Sequence, residues 1–171
     1  METAANALLQ AGAHVTEFEL PAAFSDLDPA RTIINNVERA QAAAWEWNTG
    51  RELLSRQLVE CIESGLATSH VRYLDAIRLA ERCRLQMDLA FQGIDALLTP
   101  SVSGEAPEGL GHTGDSTFQA LWTLLHVPSL TLPTDKGPTG LPVGIQLVGP
   151  RFQDDKLLRI ARWAWEHLAP R

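Results

Sequence analysis

The sequence predicts an α/β protein with a mixed β-sheet flanked by helices, and three observations lead to it. Long segments whose apolar residues recur every three or four positions alternate with short apolar runs of strand length, the pattern of layered helices and strands. Two of the short runs, rich in Leu, Val, Ile and Thr, lie between Pro128 and Gly149, separated by a turn containing Asp135, Gly137, Pro138 and Gly140. Crossovers between parallel strands are right-handed, and not every connection in this chain can be a crossover, so a mixture of parallel and antiparallel pairs is expected. No internal repeat or long linker interrupts residues 1–171, which are read as one domain.

The first helix is expected over residues 3–11, with Ala4, Leu8 and Ala11 on one side and Gly12 as its C-terminal cap. Ala13 to Leu20 alternates as a half-exposed strand does, and Pro21 ends it. Asp28 and Pro29 then open a helix whose stripe is Ile33, Val37, Ala40, Ala44 and Trp47. Another helix over residues 51–64 carries Leu54, Leu58, Cys61 and Ile62, and Gly65 is placed as its left-handed cap. Ser69 opens the longest helix, to about Gln92, with Tyr73, Ala76, Ile77, Ala80, Cys83, Met87, Ala90 and Phe91 inward. Its acids and arginines, three or four apart, make a solvated outer face.

Asp95 to Thr99 reads as a short strand closed by Pro100. Residues 101–115 follow as an aperiodic run of Gly, Pro, Ser and Glu, a loop long enough to suggest function or mobility. A helix over residues 116–125 returns the chain to the strand pair. There Pro128 and Pro133 bracket the first strand, Pro142 precedes the second, and Gly144 and Gly149 bound the second run, where glycine permits a close backbone approach or an unusual dihedral. Asp154 and Asp155 start the last helix at the end its dipole favours, and Leu157, Leu158, Ala161, Trp165 and Leu168 line its inner side.

Composition narrows the function classes. With 45% hydrophobic and 20% charged residues the chain is that of an ordinary globular protein, and a net charge of −7 with dispersed basic residues argues against nucleic-acid partners. No apolar run approaches a membrane span, and Met1-Glu2-Thr3 does not open a secretory signal, so a cytoplasmic protein without membrane contact is expected. Cys61 and Cys83, far from any Cys-x-x-Cys spacing, suit free thiols in a reducing compartment.

Phe118-Gln-Ala-Leu-Trp122-Thr-Leu-Leu-His126-Val-Pro128, with the strand pair after it and Asp95-Ala-Leu-Leu-Thr-Pro100 before it, resembles the C-terminal part of the amidase signature family. The resemblance extends from the Ala-Gly-Ala-His-Val segment at 11–15 to the last helix and is strongest from Asp95 to Gly149. It implies the C-terminal part of the amidase-signature fold, with Met1 falling inside a unit that has chain before it. It also implies amide hydrolysis by a Ser-Ser-Lys triad without metal or cofactor. In that triad one serine is the nucleophile, a second serine in a cis peptide relays the proton, and a buried lysine acts as base. Thr99, Ser101, Ser116, Gln119 and Trp122 match positions that face the amide substrate, so the resemblance makes them substrate-binding candidates in a completed enzyme. The competing reading of the same residues is a core tryptophan and a polar helix start. Some members hold a charged substrate end with an acid near this helix start; Ser116 occupies the matching position and Asp115 is adjacent.

The triad itself is not in this sequence. A serine hydroxyl is a weak nucleophile unless a base within hydrogen-bond reach takes its proton. No two serines are adjacent, and the only lysines are Lys136, in a Gly/Pro turn, and Lys156, among aspartates in the first turn of a helix. Both are expected to be solvated and protonated, which assigns no catalytic residue. Gly109-Leu-Gly111-His-Thr-Gly114 spells a dinucleotide pattern, but Pro100 and Pro107 separate it from the strand such a site needs. Glu105, Glu108, His112 and Asp115 lack the paired spacing of metal ligands and read as a polar loop. His126, at an apolar helix end, reads as a core histidine.

The expectation is therefore the C-terminal portion of an amidase-signature hydrolase, carrying scaffold and part of the substrate pocket, and inactive alone. A small-molecule amide would be its partner only once the N-terminal region completes it. The alternative is a stand-alone, catalytically dead homologue acting as a binding or oligomerising partner. A sheet without its catalytic half leaves edges and an apolar face uncovered, so a homo-oligomer is expected.

Overall fold

The computed structural model describes residues 1–168. The elements are α1 (Glu2–Gln10), α2 (Leu27–Ala42), α3 (Ala44–Thr49), α4 (Arg56–Ala67), α5 (His70–Ala90), β1 (Leu97–Pro100), α6 (Thr117–Leu125), β2 (Ser129–Lys136), β3 (Pro142–Val148) and α7 (Asp154–Leu168). They form two compact units, one of residues 22–83 and one of residues 1–21 with residues 84–168. The α/β class expected from the sequence holds. The strands, however, pair only antiparallel among the described residues, in the order β1-β3-β2, where a mixed sheet was expected. No helix of the described residues is long and apolar enough to cross a membrane.

The sheet unit is organised by β3. Its residues pair with β1 (Thr99 opposite Gln146) and with β2 (Leu132 opposite Ile145), so it is the central strand and is buried from Ile145 through Val148. Pro133 does not end β2 as expected: the strand runs through it to Lys136, with a register shift between Pro133 and Asp135. An edge strand tolerates the missing N–H, and a bulge absorbs the misfit. Gly144 is required where it stands, because a Cβ there would meet the Leu132 carbonyl oxygen and Thr131 Cγ2 at 2.7 Å each. Ala4 and Leu8 of α1 join Leu132, Ile145, Leu147, Leu157, Ala161 and Ala164 in one core. The inner face of α7 thus carries Ala164, while Leu158 and Trp165, expected inward, are exposed. Small side chains let a helix lie close on a sheet, and the hydrophobic pattern alone does not distinguish that from a stripe of large ones.

Gly12 follows α1 with φ of +101°, the cap conformation expected of it. Ala13 to Leu20 is not a strand. It has no paired neighbour among the described residues, and alternation without a ladder partner makes only an extended segment.

In the helical unit the long helix expected from Asp28 to Trp47 is broken at Ala43 into α2 and α3. Leu27, Ala30, Ile34 and Ala40 are the buried residues of α2, a stripe shifted from the expected Ile33 and Val37, which are half-buried. The next helix starts five residues later than expected: Ser55 caps α4, its hydroxyl accepting from the Leu58 N–H at 3.3 Å, after a 3-10 turn at Arg51–Leu53. Gly65 is not a cap either. It lies buried inside α4 against α2, where a Cβ would stand 2.1 Å from the Asn36 carbonyl oxygen. Ser69 caps α5 as expected, accepting from Arg72 N–H at 3.3 Å, and Ala76, Ala80 and Cys83 are buried along it.

Candidate functional site

The residues singled out from the sequence fall on two elements of the sheet unit, the β1 end and the first turns of α6. Thr99 is half-buried on β1, and Ser101, just past the strand, is 3% exposed. Ser116 takes the N-cap position of α6 and is exposed, as is Gln119, whereas Trp122, one turn further along, is 5% exposed. Gln119 donates its N–H to the Ser116 carbonyl at 2.9 Å and has no side-chain hydrogen bond among the described residues.

One residue that the sequence reading did not single out ties these elements together. Gln146, 3% exposed on β3, donates from Nε2 to Thr99 Oγ1 at 3.2 Å and to the Phe118 carbonyl at 3.0 Å. It therefore joins β3, β1 and the first turn of α6 through one carboxamide. The signal was present in the sequence as a lone amide in the apolar run Val143-Gly-Ile-Gln-Leu-Val148. A polar side chain on the central strand must be hydrogen-bonded, because burying it unpaired is costly.

Two side-chain atoms here lack what Gln146 has. Ser101 Oγ and Trp122 Nε1 are buried and have no hydrogen-bond partner among the described residues. An unmet polar atom costs about 1–3 kcal/mol, and an indole N–H can only donate, so Trp122 calls for an acceptor. The backbone N–H of Ser101 is spent on the Gly144 carbonyl at 3.4 Å, which ties the start of the loop to the first half of β3.

The helix start is built by Asp115. Its carboxylate accepts from the Thr117 N–H at 2.9 Å and the Thr117 hydroxyl at 2.6 Å, and these bonds hold its pKa below the ordinary carboxylate value. Glu105, in the preceding loop, accepts from the Thr139 N–H and hydroxyl and from the Leu141 N–H, the last at 2.8 Å. Both carboxylates are thus engaged with backbone amides and threonine hydroxyls, and His112 Nδ1 accepts from the Gly114 N–H at 3.1 Å. No cluster of three or more potential metal ligands exists among the described residues.

His126 departs from its expected role as a core residue. It is the exposed C-cap of α6 in the left-handed conformation, φ 57°, and its N–H closes on the Thr123 carbonyl at 3.2 Å. Partial desolvation by the protein atoms around the ring, followed by the charges of Arg84 and Arg151, pushes its pKa below the usual histidine value. Arg84 donates to the Leu124 carbonyl at 2.9 Å, answering one of the free acceptors at that helix end. Arg151 is held by both carboxylate oxygens of Asp88. Lys156 pairs with Asp95 at 2.8 Å, and Lys136 is exposed at the end of β2. A separate depression of about 290 Å³ in the helical unit, lined by Pro29, Ile33, Asn36 and Arg72 among others, contains none of the candidate residues.

The Amidase family profile matches residues 1–158. A glutamyl-tRNA(Gln) amidotransferase subunit from Synechococcus sp. (strain CC9902) is 29% identical over 119 residues, covering 66% of this chain and 24% of that protein. A second protein of that kind, from Clostridium acetobutylicum, is 32% identical over 98 residues, or 53% of this chain and 20% of its own length. Among solved structures, an amidase superposes with a TM-score of 0.86 at 30% identity, over 98% of this chain and 41% of that one. A substrate complex of 6-aminohexanoate cyclic dimer hydrolase superposes at 0.79 with 16% identity, a likeness of fold, over 99% of this chain and 40% of that one. The chain thus spans between a fifth and a quarter of those curated relatives and two fifths of those structures.

Proposed function

This chain belongs to the Amidase family, and from that premise we propose that it is the C-terminal part of an amidase-signature hydrolase, contributing scaffold and one side of the substrate site. In the completed enzyme a serine hydroxyl outside this sequence attacks the carbonyl carbon of a carboxamide. The C–N bond breaks, the amine leaves with a proton, and water releases the acyl group from the serine. This chain holds no adjacent serine pair, and its lysines stand as described, so it is inactive alone.

The observation that carries the reading is the pair of buried, unpartnered polar atoms, Ser101 Oγ and Trp122 Nε1, at two of the positions the family resemblance assigns to substrate contact. An indole N–H suits the oxygen of an acyl group lying against the ring. The partial coverage of the relatives supports a role as one portion of a larger catalytic unit.

The test is to fuse the portion of the amidase of 30% identity that this chain does not cover ahead of Met1. The fusion is expected to hydrolyse carboxamides, and Trp122→Phe, which keeps a ring but removes the N–H, to raise KM. A fusion that folds cooperatively yet cleaves no carboxamide contradicts the proposal.

A further inference from the structure

Glu105 lies four residues after Ser101 in the loop that joins the two sides of the candidate site, and its surroundings are unusual for a loop carboxylate. Both oxygens accept from the tip of the β2–β3 hairpin. The Thr139 N–H reaches Oε1 and Oε2 at 3.1 and 3.0 Å, the Thr139 hydroxyl reaches Oε2 at 2.8 Å, and the Leu141 N–H reaches Oε1 at 2.8 Å. It forms no ion pair with lysine or arginine among the described residues, so backbone amides and a hydroxyl satisfy it. Charge-assisted bonds of this kind are stronger than neutral ones and directional.

The hairpin is shaped to receive it. Gly137 lies against the side chain so closely that a Cβ there would meet Glu105 Cγ at 2.2 Å and Cδ at 2.4 Å. The turn closes on itself through Gly137 N–H to the Leu141 carbonyl and Gly140 N–H to the Gly137 carbonyl, each at 3.0 Å, leaving the Thr139 and Leu141 N–H groups for the carboxylate. The loop it holds starts at the buried Ser101 and ends at Asp115, which starts α6 and so leads to Trp122.

We propose that Glu105 is a positioning residue for the candidate site: by fastening the loop to the hairpin tip it sets the loop's path between Ser101 and α6, and with it the placement of Ser101 and Trp122. The inference rests on the hydrolase reading for the meaning of the site, but its test does not need turnover.

The experiment is amide and indole NMR on the full chain and on Glu105→Ala, Glu105→Gln and Gly137→Ala. Glu105→Ala is expected to lower exchange protection of the Thr139 and Leu141 amides at least tenfold. It should also shift or broaden the Ser101 amide and the Trp122 indole signal. Glu105→Gln, which keeps acceptor oxygen but turns an NH₂ group toward an N–H, should give a smaller change in the same signals. Gly137→Ala should reproduce the Glu105→Ala pattern by displacing the carboxylate, which keeps the test decisive if Glu105→Ala does not fold. Loss of hairpin protection with Ser101 and Trp122 unmoved would reduce Glu105 to a brace of the turn and overturn the proposal, as would unchanged spectra throughout. An active fusion indifferent to Glu105 sinks this inference alone; moved signals with no hydrolysis by any fusion sink the hydrolase reading alone.

Discussion

Gln146 on the central strand and Thr99 on its neighbour are opposite one another in the ladder, and the carboxamide of the first reaches both the hydroxyl of the second and the Phe118 carbonyl of α6. The site elements are therefore held by a hydrogen-bonded bridge under the sheet-to-helix contact, and not by apolar packing alone. Gln146→Leu removes both donors, and by the usual cost of an unmet buried group it should destabilise the fold by about 1–3 kcal/mol. Urea unfolding checks this; an unchanged midpoint would mean the bridge has no structural weight.

Gly65→Ala separates two effects of opposite sign. On an unhindered helix the exchange stabilises by about 1 kcal/mol through propensity. Here the added methyl would stand 2.1 Å from the Asn36 carbonyl oxygen, so α2 and α4 must part, and overpacking of this kind costs about 1–3 kcal/mol. Thermal unfolding should show a lowered midpoint, and a raised one would contradict the close approach.

These two residues also show where the sequence was readable. The two strands and the turn between Pro128 and Gly149 were legible because the turn chemistry is dense, though their antiparallel pairing was not, and α1, α5, α6 and α7 because their apolar residues recur every three or four positions. Gly65 was misread as a cap because a glycine near the end of a helical pattern looks the same whether it terminates the helix or admits a neighbour. Leu158 and Trp165 were expected inward and are exposed, while Ala164, not expected there, is buried, because a helix lying close on a sheet buries small side chains that a search for large apolar ones passes over. Of the candidate site, Thr99, Ser101, Ser116, Gln119 and Trp122 were named through family resemblance, whereas Gln146 and Glu105 act through partners distant in sequence that no local pattern reports.

Glu105 supplies a pH prediction. Partial desolvation tends to raise its pKa, but the Thr139 hydroxyl and the Thr139, Leu141 and Gly140 amides outweigh it and the net shift is downward. A carboxylate with a depressed folded pKa contributes stability above its unfolded value, about 4.3, and loses it as the pH falls through the folded value. The Thr139 and Leu141 amide signals should therefore stay constant down to about pH 5 and change together below the unfolded value of about 4.3. A midpoint above that unfolded value would contradict the net downward shift.

His126 gives a second, with the opposite group. Its pKa is depressed in the fold, so the unfolded chain takes up a proton first as the pH falls through about 6.5, and stability drops across the window from there down to the folded value. His126→Gly should reduce that slope. It should also stabilise the chain by about 1 kcal/mol, because glycine adopts the left-handed cap without the Cβ penalty. Urea midpoints at pH 8 and pH 5.5 test both parts, and an equal pH slope in the variant would contradict the assignment.

The central claim is that this chain carries an amidase framework without the groups that cut. Ammonia release from a panel of primary carboxamides by the purified chain tests it directly. The account predicts release at the rate of the buffer blank. Saturable release that disappears on replacing a single residue of this chain would contradict it.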